Sequence, residues 1–236
     1  MWKDKGQQLV YNIINPLINW LVKHRVSPNT ITTIGFVINI LATVVFIIGA
    51  EFAERTELNY VGWGGGLILF GGLFDMIDGR LARVGGLSSK FGAFYDSVLD
   101  RYSELIMFFG INYYLIAHDY FFSSMFSFLA LIGSIMVSYT RARAEALGVS
   151  CSVGFMQRPE RVIIIGISAI LTGVTAAILG GGYQIYSETF SYPVFEPIFI
   201  FIMPLAFVAI MANITAYRRL VHSWQEFKKM EKKEFA

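Results

Sequence analysis

The chain has 236 residues, 55% of them hydrophobic and 16% aromatic, with a mean hydropathy of +0.56 and a formal net charge of +2. A water-soluble fold of this length does not carry so much apolar sequence, so a single membrane domain is expected. One cysteine, Cys151, excludes an intramolecular disulfide and a cysteine-rich zinc site and reads as a small filler, and His24, His118 and His222 are too scattered to pair as ligands.

The first six residues lead into an amphipathic stretch rather than a short apolar core, so no cleavable signal peptide is expected. Over residues 7–25, Val10, Ile13, Ile14, Leu17, Ile18 and Leu21 recur at helical spacing, with Trp20 alongside and Lys23 and Arg25 at the end. This predicts a helix lying in the membrane interface, with Pro16 as a kink point. Ser27-Pro28-Asn29 breaks the chain, and Asn29 or Thr30 is the expected cap of the next helix. Residues 32–52 form the first run of about twenty apolar residues, enough to cross a bilayer. A second span is expected over about 60–83, where Gly62 and Gly66 make a G-x-x-x-G pair suited to helix-on-helix contact. After a short turn at 84–90, a third span runs over 91 to about 117 and a fourth over about 122–144. A polar loop covers 145–157; the fifth span follows over 160 to about 179 and ends in Gly180-Gly181-Gly182. Pro193 or Pro197 opens the sixth, which reaches about Tyr217.

The expected fold is therefore all-α and integral to the membrane, with six transmembrane helices preceded by an amphipathic interfacial helix. It forms one domain: 7–25 at the interface, about 31–217 in the core, and a charged tail over 218–236. Of the 19 lysines and arginines, only Arg55 falls in the segments assigned to the outside, near 54–59, 118–121 and 181–193. By the positive-inside rule both termini lie in the cytoplasm, and the plasma (inner) membrane is the expected location.

Asp75, Asp78, Asp96 and Asp100 stand out against this apolar background. Helical spacing puts Asp75, Asp78, Gly79 and Ala82 on one face, and Gly92, Asp96 and Asp100 on one face of the next helix. Two helices thus present two carboxylates each, with glycine beside them. Salt bridges to Arg80, Arg83 and Arg101 would account for one or two of these acids. Four in a membrane protein mark a functional site, because a bare carboxylate near hydrocarbon costs several kcal/mol, of the order of ~3. Oxygen ligands of this number and charge suit Mg²⁺ or Mn²⁺, with substrate phosphates completing the shell.

The spacing resembles the signature of the CDP-alcohol phosphotransferase family, D-x-x-D-G-x-x-A-R followed by G-x-x-x-D-x-x-x-D. Asp75, Asp78, Gly79, Ala82, Arg83, Gly92, Asp96 and Asp100 match it without departure. The resemblance implies six transmembrane helices, usually in a homodimer, and displacement of CMP from a CDP-linked donor by an alcohol. It further implies two ions, Mg²⁺ or Mn²⁺, neutralising the pyrophosphate in an in-line displacement. Asp75, Asp78 and Asp96 are the expected ligands. Asp100 is expected to accept the acceptor's hydroxyl proton and also to touch metal. Gly79, Ala82 and Gly92 are small where the family packs the cytidine nucleotide, and Arg83 holds phosphate or orders the aspartates. Pro28, Asn29 and Thr32 resemble the family's P-x-x-x-T element near the cytidine; a helix cap is the competing reading.

The acceptor is read elsewhere. Ser138, Arg141 and Glu145 share a helical face with Arg143 turned aside, and Arg158-Pro159-Glu160-Arg161 brings two more guanidiniums to the same end. Arginine forks suit a phosphate monoester, although positive-inside anchoring would also place arginines here. The stretches S-Y-T-R-A-R-A-E and R-P-E-R resemble the phosphatidylinositol phosphate synthase branch, whose donor is CDP-diacylglycerol and whose acceptor is inositol 1-phosphate. That implies Ser138, Arg141 and Arg161 around the acceptor phosphate, with Arg143 and a tail arginine such as Arg218 as further candidates. Glycerol 3-phosphate, the acceptor of phosphatidylglycerophosphate synthases, also carries a phosphate and stays open. A transporter or cation channel is the competing class. Against it, the acids gather at one membrane face and no inverted repeat is visible. Nothing suggests nucleic-acid binding.

Overall fold

The breaks between helices fall where the sequence supplies proline, glycine or a capping hydroxyl. The computed structural model describes residues 2–186 and 193–234, with side chains described over 13–186 and 193–232. Helix α1 spans Trp2–Lys23, α2 Pro28–Phe52, α3 Asn59–Val84, α4 Lys90–Ala117, α5 Phe121–Ala146, α6 Arg158–Leu179 and α7 Phe199–Glu234. A small antiparallel ribbon pairs β1 (Ile185–Tyr186) with β2 (Pro193–Phe195). Ser27, in extended backbone, is the N-cap of α2, with Pro28 in its first turn. The cap is therefore neither Asn29 nor Thr30, since proline at the first helical position fixes the boundary one residue earlier. Ser89 caps α4 by accepting a hydrogen bond from the Gly92 amide at 2.9 Å. Gly180, at φ 86°, ends α6 in a conformation that disfavours side chains.

Helix α1 runs continuously through Pro16. Ile18 and Leu21 pack with Ile31 of α2 and Ile77 and Leu81 of α3, while Ile13, Leu17 and Trp20 stay exposed. The side chain of Val10 lies outside the described residues. The other six helices close a ring: α2 packs on α3 and α4, α4 on α5, α5 on α7, α7 on α6, and α6 back on α3. Phe46, Ile68, Phe108, Ile111, Ile165, Phe201 and Leu205 fill its centre.

Among the described residues, five helices, α2, α3, α5, α6 and α7, are long and apolar enough to cross a membrane. Helix α4 has 28 residues, but Lys90, Asp96, Asp100, Arg101 and Glu104 crowd its first half. Helix α7, expected as the last span, opens at Phe199, not at a proline. Pro193 sits in β2, and Pro197 lies in the turn leading into α7. No break separates core from tail at Arg218 either: α7 is one helix of 36 residues, about 54 Å long at the usual rise.

Small residues let α3 and α6 touch backbone to backbone. A Cβ on Gly65 would lie 2.5 Å from Ala169 Cβ and 2.7 Å from the Gly166 carbonyl, and one on Gly62 would lie 3.1 Å from Gly173 Cα. Gly66, expected to share this contact, instead faces open space. The contact runs through Gly62 and Gly65 because these two point at α6. Gly65→Val should lower stability by about 1–3 kcal/mol through overpacking, read as an earlier thermal unfolding transition in detergent. Gly66→Ala should not lower that transition, since its Cβ meets nothing and alanine favours a helix over glycine.

At the end of the ring away from the aspartates, Tyr120 donates to Glu196 at 2.8 Å and receives a hydrogen bond from Arg55 at 3.1 Å. Burial, with the Glu196 bond acting against Arg55, pushes the Tyr120 phenol up to about 12, so it stays a neutral donor at physiological pH. Gln184 also donates to Glu196, at 2.7 Å, which ties the ribbon to the helix ends.

Candidate active site

Helices successive in the chain alternate in direction, which brings the start of α2, the end of α3, the start of α4, the end of α5 and the start of α6 to one end. Every candidate site residue of the sequence except Arg218, which is on α7, lies on these segments. Gly35 and Gly71 allow α2 and α3 to approach closely just below: a Cβ on Gly35 would lie 2.9 Å from Phe74 Cβ, and one on Gly71 2.7 Å from Asn39 Nδ2.

Three cavities meet there. The first, of about 210 Å³, is lined by Pro28, Asn29, Thr32, Gly79, Ala82, Arg83 and Gly92 together with Asp78 and Asp96. All seven candidate nucleotide residues therefore face one space. Thr32 donates to Asp78 at 2.6 Å and lies inside α2, so it does not cap the helix. A Cβ on Gly79 would meet only the Arg83 guanidinium, at 3.7 Å, which leaves that wall open to close approach. Leu87, Ser88, Ser89 and Ala93 complete the lining. Only the folded turn between α3 and α4 could show them.

The second cavity, of about 190 Å³, is lined by Asp100, Arg101, Val137, Ser138, Arg141, Gln157, Arg158, Pro159, Arg161 and Arg219. Ser138 and Arg141 are thus brought together in its wall. Arg143 does not line it and is exposed, because it lies on another side of α5. The tail contributes Arg219, not Arg218, and Arg219 is anchored to the Val137 and Val153 carbonyls at 2.6 and 2.8 Å. Arg141 is shared with Glu145, at 2.8 Å.

Arg161 lines this cavity yet is 0% exposed. Its Nε bonds Glu104 at 2.9 Å, a second nitrogen bonds the same carboxylate, and the third bonds the Met156 carbonyl at 2.9 Å. Glu104, 2% exposed, is a residue sequence reasoning passed over. Its signal was present: Asp96, Asp100 and Glu104 are spaced i, i+4, i+8 on α4.

The third cavity is an apolar groove of about 680 Å³ between α3 and α6, lined by Gly66, Leu69, Phe70, Leu73, Met76, Val162, Ile163 and Ile167, with Asp75 and Arg158 also in its wall. Arg158 thus borders two cavities. One of its terminal nitrogens bonds both Asp75 and Asp100, the latter at 2.9 Å, and its Nε is buried with no partner among the described residues. Asp100 also lies 3.4 Å from Arg101.

Asp78 and Asp100 each lie close enough to Asp75 and Asp96 to feel their charge. As they stand, no three His, Cys, Asp or Glu side chains among the described residues are gathered closely enough to hold a metal ion. Arg158 draws Asp75 and Asp100 to itself, and Thr32 holds Asp78. The donor set still fits a hard divalent cation: it is oxygen-only, and two of its four carboxylates converge on a place already occupied by a positive group.

Residues 25–224 match the family model described as CDP-alcohol phosphatidyltransferase. An archaetidylinositol phosphate synthase from Pyrococcus horikoshii is 39% identical over 156 residues, 65% of this chain and 74% of its own length. A phosphatidylinositol phosphate synthase from Mycobacteroides abscessus is 31% identical over 163 residues, 68% of this chain and 70% of its own. The crystal structure of the Mycobacterium tuberculosis phosphatidylinositol phosphate synthase with CDP-DAG bound superposes with a TM-score of 0.69 at 25% identity, covering 90% of this chain and 94% of that one. The same enzyme in complex with manganese and citrate gives a TM-score of 0.69 at 26% identity, covering 89% and 88%.

Proposed function

Because this chain belongs to the CDP-alcohol phosphatidyltransferase family and is a CDP-alcohol phosphotransferase of the membrane, we propose that it transfers the phosphatidyl group of CDP-diacylglycerol to inositol 1-phosphate, giving phosphatidylinositol phosphate and CMP. The observation that carries this reading is the meeting of three chemically different cavities at the four aspartates. The glycine-lined cavity takes the cytidine nucleotide, the apolar groove takes the acyl chains from the bilayer, and the arginine-lined cavity takes a small alcohol bearing a phosphate.

Asp75, Asp78, Asp96 and Asp100 would hold divalent cations, two in this reading. When bound, such a cation neutralises the pyrophosphate and stabilises the departing CMP. The chain's own residues do the rest. Thr32 fixes the orientation of Asp78. Asp100, which lines the acceptor cavity, takes the proton of the attacking hydroxyl as its oxygen bonds to the phosphatidyl phosphorus and the bond to CMP breaks. Ser138 and Arg141 hold the acceptor phosphate.

In this reading α4 is the sixth span, since it packs between α2 and α5, and α1 lies in the interface with Ile13, Leu17 and Trp20 turned to lipid. The site opens to the cytoplasm, as the placement of lysine and arginine implies, and the active form is a homodimer. Glycerol 3-phosphate is the second acceptor, because the same arginines would hold its phosphate.

Arg141→Ala should raise KM for inositol 1-phosphate by about tenfold or more, by loss of a charge-assisted hydrogen bond, and leave KM for the lipid donor unchanged. Arg143→Ala should change neither. Equal effects of the two substitutions would remove the second cavity as the acceptor site.

A further inference from the structure

Arg158 and Arg161 sit one helical turn apart on α6, both behind the acceptor cavity, yet they are bonded differently. Arg161 is fully buried, and all three of its nitrogens are committed to Glu104 and Met156. Arg158 reaches Asp75 and Asp100 through a single nitrogen and leaves its buried Nε without a partner. One is a fixed strut; the other is held at one end only.

We propose that Arg158 is a displaceable counter-ion: a divalent cation competes with its guanidinium for Asp75 and Asp100, and the displaced guanidinium turns into the acceptor cavity to meet the acceptor's phosphate. The second half rests on the acceptor reading above. Three observations support the exchange. The guanidinium occupies the place where two of the four acids converge, and a double charge is attracted there more strongly than a single one. Arg158 already forms part of the acceptor cavity's wall, alongside Ser138 and Arg141, so a change of side-chain rotamer suffices to redirect it. Arg158 holds both acids through one nitrogen and its buried Nε has no partner among the described residues, so its departure breaks few hydrogen bonds. Cation binding and acceptor binding are thereby coupled through one side chain, and the coupling is reciprocal.

The test is calorimetric titration of Mn²⁺ into the full-length protein in detergent, for the wild type, Arg158→Gln and Arg158→Lys. Without its competitor, Arg158→Gln should bind Mn²⁺ about tenfold or more tightly than the wild type, with Arg158→Lys in between. In chelator, Arg158→Gln should unfold at lower temperature than the wild type, and saturating Mn²⁺ should narrow the gap. Inositol 1-phosphate should bind the wild type more tightly with Mn²⁺ than without, and that gain should shrink in Arg158→Gln. Mn²⁺ affinity that is equal or weaker in Arg158→Gln would overturn the competition. An undiminished gain in that variant would overturn the delivery, since direct contact between metal and phosphate would then explain the coupling. Tighter Mn²⁺ binding with no binding of inositol 1-phosphate in any form would support the competition and overturn the delivery together with the acceptor reading.

Discussion

Asp100→Asn should lower CMP release by about 10²–10⁴-fold, the range expected when a general base is lost, while the protein still folds. The amide keeps the shape of the carboxylate but cannot take a proton. Asp75 remains to hold Arg158, so the start of α6 keeps an anchor on the neighbouring helices. The measurement is the CMP release rate at saturating CDP-diacylglycerol, Mg²⁺ and acceptor, with a thermal unfolding curve for the same preparation. Activity within tenfold of the wild type, in a folded protein, would remove Asp100 from the role of base.

The largest effect on stability is expected from the pair beneath the site. Glu104 and Arg161 are 2% and 0% exposed, and removing one partner strands the other charge inside the helix ring. Glu104→Leu should therefore cost about 3–5 kcal/mol, seen as a large fall in the unfolding temperature. The double variant Glu104→Leu/Arg161→Met should recover most of that loss, because no unpaired charge remains. A single variant as stable as the double would show that the pair is not the strut described. The activity of the double variant is informative in its own right. If it matches the wild type, Arg161 holds its cavity wall in place and does not grip the acceptor's phosphate.

What the sequence made legible follows from the physics of each element. The aspartates and glycines of α3 and α4 were readable because their chemistry is expensive in a membrane and their spacing places them on two helical faces. The first cavity gathers Asp78, Gly79, Gly92 and Asp96 of that set, with Pro28, Asn29 and Thr32 added from α2, while Asp100 and Asp75 line the second and third. Arginines were harder to assign. A guanidinium near a membrane surface serves equally as anchor, strut or ligand, and only the fold separates these uses: Arg143 faces away, Arg161 is buried on Glu104, and Arg158 reaches the acids. Arg219 was missed in favour of its neighbour Arg218, since one residue along a helix turns the side chain by about 100°. The start of α7 at Phe199 was misplaced because the prolines before it read as helix openers. Pro193 is instead taken up by the ribbon.

The most direct test of the proposed activity is CMP release by the purified full-length protein in detergent with CDP-diacylglycerol and Mg²⁺, offering inositol 1-phosphate, glycerol 3-phosphate, serine and free inositol separately. Release with inositol 1-phosphate, and not with serine or free inositol, is the expected result. Release with serine or free inositol but not with inositol 1-phosphate would contradict the phosphate-holding role given to Ser138 and Arg141.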